Sequence, residues 1–205
     1  MSTTASSDVT SIEYGWAGAA LEDDISGDAH VVVQRGDHVV IAVLDGLGHG
    51  PDAAAAARAG VEVIAGSTLV QPIALVRAVH DGLRRTRGAV MSVAVIDAVT
   101  STMSWTGVGN VEGVLVRCDA ARGHDALGTR GGVVGFQLPP LRATTVELGR
   151  GDVLVFATDG IRAGFSGAIV PEYEPQAIAD GLLASHARGT DDALVLVARY
   201  RGGAG

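Results

Sequence analysis

Four aspartates share one local setting. Asp28 stands in SGD just before an apolar run, Asp45 closes a run in VLDGLGHGPD, Asp159 closes another in FATDG, and Asp191 opens the last one in GTDD. Each lies where a β-type run meets a turn. Strand ends gather residues distant in sequence on one rim of a sheet, and the glycines beside them let backbone carbonyls approach a ligand closely. Four ionised carboxylates within a few ångströms repel one another and raise one another's pKa unless cations stand among them. The donors are all oxygen, and no Cys/His spacing suits zinc, so the expected ions are hard: Mn2+ or Mg2+, two of them to balance the charge. Two such ions about 4 Å apart activate a water for in-line attack on phosphorus. The chemistry expected is phosphoester hydrolysis without a protein nucleophile.

The elements that must position these residues are mostly strands. HVVVQ (30–34) and HVVIAVLD (38–45), joined by RGD, read as a hairpin rich in β-branched residues. The alanine-dense PDAAAAARAGVEVIA (51–65) starts with Pro and Asp, as a helix N-terminus prefers, so a helix follows the glycine loop. In QPIALVRAVHDGLRRTR (71–87), Ile73, Val76, Val79 and Leu83 recur at helical spacing and three arginines gather at the C-terminal end. AVMSVAVIDAV, STMSWTGVG and VEGVLVRCD read as a three-stranded meander, and 120–130 as a loop. TTVELGRGDVLVFATDG reads as a further hairpin with GRGD as its turn, a helix fits 174–186, and DDALVLVARY is a strand. Strands in runs with inserted helices imply an α+β sandwich of two antiparallel sheets flanked by helices.

Composition narrows the partners. A chain of 205 residues with 47% hydrophobic and 19% charged residues is expected to fold as one domain, 1–205, with its core at about 20–200. Fifteen basic against 23 acidic residues give a net charge of −8 with no Lys/Arg block, which argues against a nucleic-acid partner. Cys118 has no second cysteine to pair with, the first residues lack a signal-like pattern, and no apolar run reaches about 18 residues. A cytoplasmic protein without a membrane partner is expected. Glu22, Asp23 and Asp24 read as a solvated acidic face, with Asp24 a minor candidate ligand. Arg35 reads as a solvated charge in a hairpin turn.

SGDAHVVV, VLDGLGHG, FATDGI and GTDDALVLVAR, in that order, resemble the metal-dependent PP2C (PPM) phosphatases, and specifically their bacterial SpoIIE-like branch. The glycine-rich segments WTGVGNVEGVL and RGGVVGFQLPPL add to the likeness, which spans about residues 20–200 and is nearest the stand-alone RsbX-like type. The resemblance implies a four-layer α-β-β-α sandwich and a Ser/Thr phosphatase acting through a metal-activated water. It implies that Asp45 bridges two ions, that Gly46 lends its carbonyl, and that Asp28 holds one side. Asp159 and Asp191 complete the other, with Asp192 as an outer neighbour or alternative ligand. The implied partner is a phosphorylated STAS-domain regulator of a stressosome-type pathway.

One departure stands out. Many eukaryotic members place a histidine directly after the Asp-Gly pair, where this chain has Leu47; His49 is the nearby imidazole. Two other functions stay open: a catalytically weak docking module of the same fold, and a metal-dependent hydrolase of small phosphoesters. Sparse aromatics argue against the latter. Phe136, Leu138, Phe165 and Ile169 are the expected partner patch beside the metal rim.

Overall fold

The run Val39–Leu44 is apolar at every position, and both of its faces are covered. Val39, Ile41 and Val43 point into one core and Val40, Ala42 and Leu44 into another. A strand reads this way when layers lie on both sides of it. The computed structural model describes residues 11–21, 25–119 and 123–203. Its elements run β1 (Ile12–Ala19), β2 (Asp28–Arg35), β3 (His38–Gly46), α1 (Pro51–Gly66), α2 (Pro72–Leu83), β4 (Ala89–Asp97), β5 (Thr102–Val108), β6 (Glu112–Val116), β7 (His124–Leu127), β8 (Thr144–Glu147), β9 (Val153–Ala157), α3 (Pro175–His186) and β10 (Ala193–Tyr200).

They form two five-stranded antiparallel sheets, β1-β10-β9-β6-β7 and β2-β3-β4-β5-β8. Between the sheets lies a core that includes Ile41, Trp105, Phe156 and Leu196. Helices α1 and α2 cover the outer face of the β3 sheet through Ala57, Ile64, Val76 and Leu83. On the far side Ile178 and Leu182 of α3 cover the outer face of the β9 sheet. The order of layers is α-β-β-α. None of the helices described is long and apolar enough to cross a membrane.

The β2–β3 hairpin turns on Gly36 and Asp37, with Gly36 at φ 58° and Arg35 paired to His38. That register carries Asp28 directly opposite Asp45 at the far end of the ladder. Arg35 is not a free solvated charge: its guanidinium donates to the carbonyls of Ile64 and Leu69, at and just beyond the end of α1. There the cation meets the negative end of the α1 dipole.

Local turn signals misassigned two pairings and left two strands unread. TTVELGRGDVLVFATDG is not a hairpin: β8 pairs with β5 in one sheet, while β9 lies between β6 and β10 in the other. The turn reverses the chain but also lifts it across the sandwich. Buried Asp152 holds that crossing, accepting from Arg117 at 2.9 Å and from the backbone N–H groups of Cys118 and Gly149. β6 likewise leaves the β4–β5 ladder to join β9. β7 lies inside the expected loop and pairs with β6. β1, which alternating polarity does not announce, pairs along its whole length with β10.

Candidate metal centre

The four aspartates come to one rim by four routes. Asp28 and Asp45 are direct partners across the hairpin. Asp159 follows β9 and Asp191 stands two residues before β10, at neighbouring strand ends of the opposite sheet. Thr158 ties the sheets together: its hydroxyl donates to Asp28 Oδ2 at 2.8 Å and accepts the backbone N–H of Leu194 at 2.9 Å. Asp45, Asp159 and Asp191 line one open cavity of about 550 Å3, with Leu21, Leu47, His49 and Asn110 also in its wall. Asp28 stands behind that wall, lining a neighbouring cavity with Trp16 and His30.

Asp191 and Asp192 separate cleanly. Asp192 is 5% exposed, and both of its oxygens are taken by backbone, Oδ1 by the N–H of Leu21 at 2.8 Å and Oδ2 by that of Gly27 at 2.6 Å. Asp191 is exposed and faces the cavity, one oxygen accepting the N–H of Asp192. Asp192 shapes the rim, and of the two only Asp191 lines the cavity. Asp24 lies outside the described residues.

The glycine loop between β3 and α1 bends where only glycine bends easily. Gly48 and Gly50 have φ of +88° and +75°, and Gly50 is the residue before α1. Gly46 serves packing: a Cβ there would fall 2.1 Å from the carbonyl oxygen of Ala53, so the absence of a side chain lets α1 start against the strand end. Leu47 is 37% exposed, its N–H bonded to Gly88 O at 3.1 Å.

Charge is concentrated at this rim. Burial first, and then the neighbouring carboxylates of Asp28, Asp159 and Asp191, push Asp45 up to about 8. Asp28 is pushed up to about 7 by burial and by Asp192, Asp159 and Asp191, against the Thr158 hydrogen bond that lowers it. Asp159 is raised by burial and by Asp191, while Arg188 and Asn110 pull it down. Among the described residues no three His, Cys, Asp or Glu side chains close on one point as a metal cage. An open rim of carboxylate oxygens with raised pKa fits a hard divalent ion that keeps much of its own water.

Two residues that sequence reading passed over belong to this rim. Thr158 directly precedes a strand-end aspartate, and Asn110 ends the glycine-rich turn of WTGVGN. Asn110 donates its amide to Asp159 Oδ2 at 2.7 Å. For Thr158 the available signal was its place beside a candidate ligand, whereas Asn110 lies 49 positions from its partner. Of the expected partner patch, Phe136 is 81% exposed, but Phe165 and Ile169 are buried under α3 and Leu138 is half-buried against the helix-side core.

Residues 35–201 match the family described as Stage II sporulation protein E (SpoIIE). The chain belongs to the SpoIIE family. Solved structures of the same fold surround it. One, from work on the bacterial stressosome as a modular system adapted to control secondary messenger signalling, is 27% identical with a TM-score of 0.83, covering 92% of this chain and 99% of that one. RsbX in complex with magnesium is 17% identical with a TM-score of 0.84, covering 97% and 100%. The PP2C phosphatase domain of SpoIIE from Bacillus subtilis, solved with a fragment of its regulatory domain, is 21% identical with a TM-score of 0.77, covering 94% of this chain and 64% of that one. The four-layer sandwich of this SpoIIE-family chain is therefore the PP2C-like fold its motifs resemble. The family is one of metal-dependent phosphatases.

Proposed function

We propose that this protein is a metal-dependent phosphoprotein phosphatase that removes phosphate from Ser or Thr of a bacterial stress-signalling regulator. The observation that carries the reading is the convergence of Asp45, Asp159 and Asp191 on one open cavity, with Asp28 paired to Asp45 behind it. Those carboxylates and the carbonyl of Gly46 would hold two Mn2+ or Mg2+ ions. Bound there, the ions supply charge neutralisation and activation of water for attack on phosphorus. The chain's own part is to fix the carboxylates and to leave the cavity open to a protruding phosphorylated side chain. Cavity-facing Leu47 and Leu21 give that side chain apolar flanks. RsbX and the stressosome protein support a phosphorylated regulator, of the STAS-domain type, as substrate.

The test is phosphate release from p-nitrophenyl phosphate and from a phosphorylated STAS-domain protein, with and without Mn2+. Asp45→Asn and Asp159→Asn keep shape but lose charge, and each is expected to cut turnover by at least a hundredfold at saturating Mn2+ with an unchanged circular dichroism spectrum, on the order of the loss of a key electrostatic group. Near wild-type turnover in either variant would remove that residue from the site. No Mn2+-dependent release by the wild type would leave a docking module of the same fold.

A further inference from the structure

Asn110 sits where the chain crosses from one sheet to the other, between β5 and β6. β6 pairs antiparallel with β9, Glu112 against Ala157. Continuing that register past the strand ends brings residue 110 opposite residue 159, and there the Asn110 amide donates to Asp159 Oδ2 at 2.7 Å. The backbone of this turn has its own supports. Gly109 N–H donates to Arg130 O at 2.8 Å, and Arg130 N–H to Gly107 O at 3.2 Å. The exposed side chain of Asn110 packs into none of the three cores. Among the described residues its amide donates to Asp159, a carboxylate that lines the cavity beside it.

We infer that Asn110 is a positioning residue of the metal centre, orienting the Asp159 carboxylate for an ion. This rests on the metal-dependent reading above. The residue type matters: a lysine or arginine at this place would orient the carboxylate too, but its charge would compete with the cation. A neutral amide fixes direction and leaves the negative charge for the metal. Partners of metal-ligating carboxylates act in this way, and their loss typically weakens metal affinity about 10- to 100-fold.

The test uses the full chain with Asn110→Ala and Asn110→Ser, neither of which reaches Asp159 with a donating amide. Binding is read with Mn2+ alone, as the rise in melting temperature over a titration, and turnover with p-nitrophenyl phosphate. In both variants the metal-free melting temperature should match the wild type, the Mn2+ dissociation constant should rise about tenfold, and KM at saturating Mn2+ should stay unchanged. An unchanged Mn2+ dissociation constant overturns the inference. So does a raised KM with unaltered Mn2+ binding, which would make Asn110 a substrate contact. A wild type whose melting temperature ignores Mn2+ removes the underlying reading instead.

Discussion

At the residue scale the rim trades stability for charge. Free carboxylates titrate near 4, whereas Asp28 and Asp45 in the folded protein titrate near 7 and 8. Between those values the native state holds more protons than the unfolded chain, so stability present at low pH is lost as pH rises from about 4 to about 8. Half-buried His30 acts in the opposite sense, since desolvation lowers it to about 4 and its contribution is lost as pH falls from about 6.5. Two carboxylates against one imidazole leave a net fall. The melting temperature of metal-free protein should therefore decrease between pH 5 and pH 8, and saturating Mn2+ should flatten the profile. A metal-free melting temperature that climbs across this interval would show the carboxylates to be well compensated. The same logic makes Asp45→Asn more stable than the wild type without metal at pH 8, by about 1–2 kcal/mol or roughly 3–6 °C.

At the element scale, what the sequence shows and what it hides divide along the sheets. The strand-end aspartates and the β2–β3 hairpin were legible, because runs of β-branched residues and a short turn act within a few residues. α1 and α2 were legible because Pro and Asp at a start, in the one, and apolar spacing, in the other, are local as well. The partner of a strand is not local. GRGD marks a reversal of the chain, yet only buried Asp152 and Arg117 reveal that the reversal crosses between sheets. Thr158 was hidden for the same reason, since its partner Asp28 lies 130 positions away. Thr158→Val tests this cross-sheet tie. It keeps the volume but leaves the Leu194 N–H and Asp28 without their partner, so unfolding in urea should show a loss of about 1–3 kcal/mol. A loss below about 0.5 kcal/mol would mean that the sheets are held at this rim by packing alone.

At the scale of the whole molecule the cavity is open, and the proposed protein substrate would be selected by the surface around it. The stretch between Asp159 and Asp191 is largely used by buried Phe165, Ile169 and α3, which leaves no separate flap over the cavity. Exposed apolar surface comes instead from Leu21 and Leu47 in the cavity wall and from Phe136, at the tip of a turn bonded to Ala89. That turn is pinned by the reciprocal bonds of Ala89 and Val134 and by the Gly135 N–H donated to His80 Nδ1 at 3.0 Å. A rigidly presented aromatic is a common interface anchor. The intact phosphorylated regulator should therefore be turned over with a higher kcat/KM than its excised phosphopeptide at matched Mn2+. Phe136→Ser should lower kcat/KM for the intact regulator about tenfold, while p-nitrophenyl phosphate is hydrolysed as before. Equal kcat/KM for regulator and peptide would point to recognition within the cavity itself.

The pairing of β1 with β10 also sets an order of events during biosynthesis. The β3 sheet draws on residues 28–147, so every strand it needs has been made before β9 and β10 emerge. The other sheet joins the first strand described to the last, Ile12 against Tyr200, and must wait for both. Contacts this far apart in sequence form slowly, because a long loop has to close before they repay its entropy. Until then the inner face of the β3 sheet, with Val39, Ile41 and Val43, has nothing to cover it. Asp159 and Asp191 reach the rim only as the second sheet closes, so the proposed metal centre is completed last.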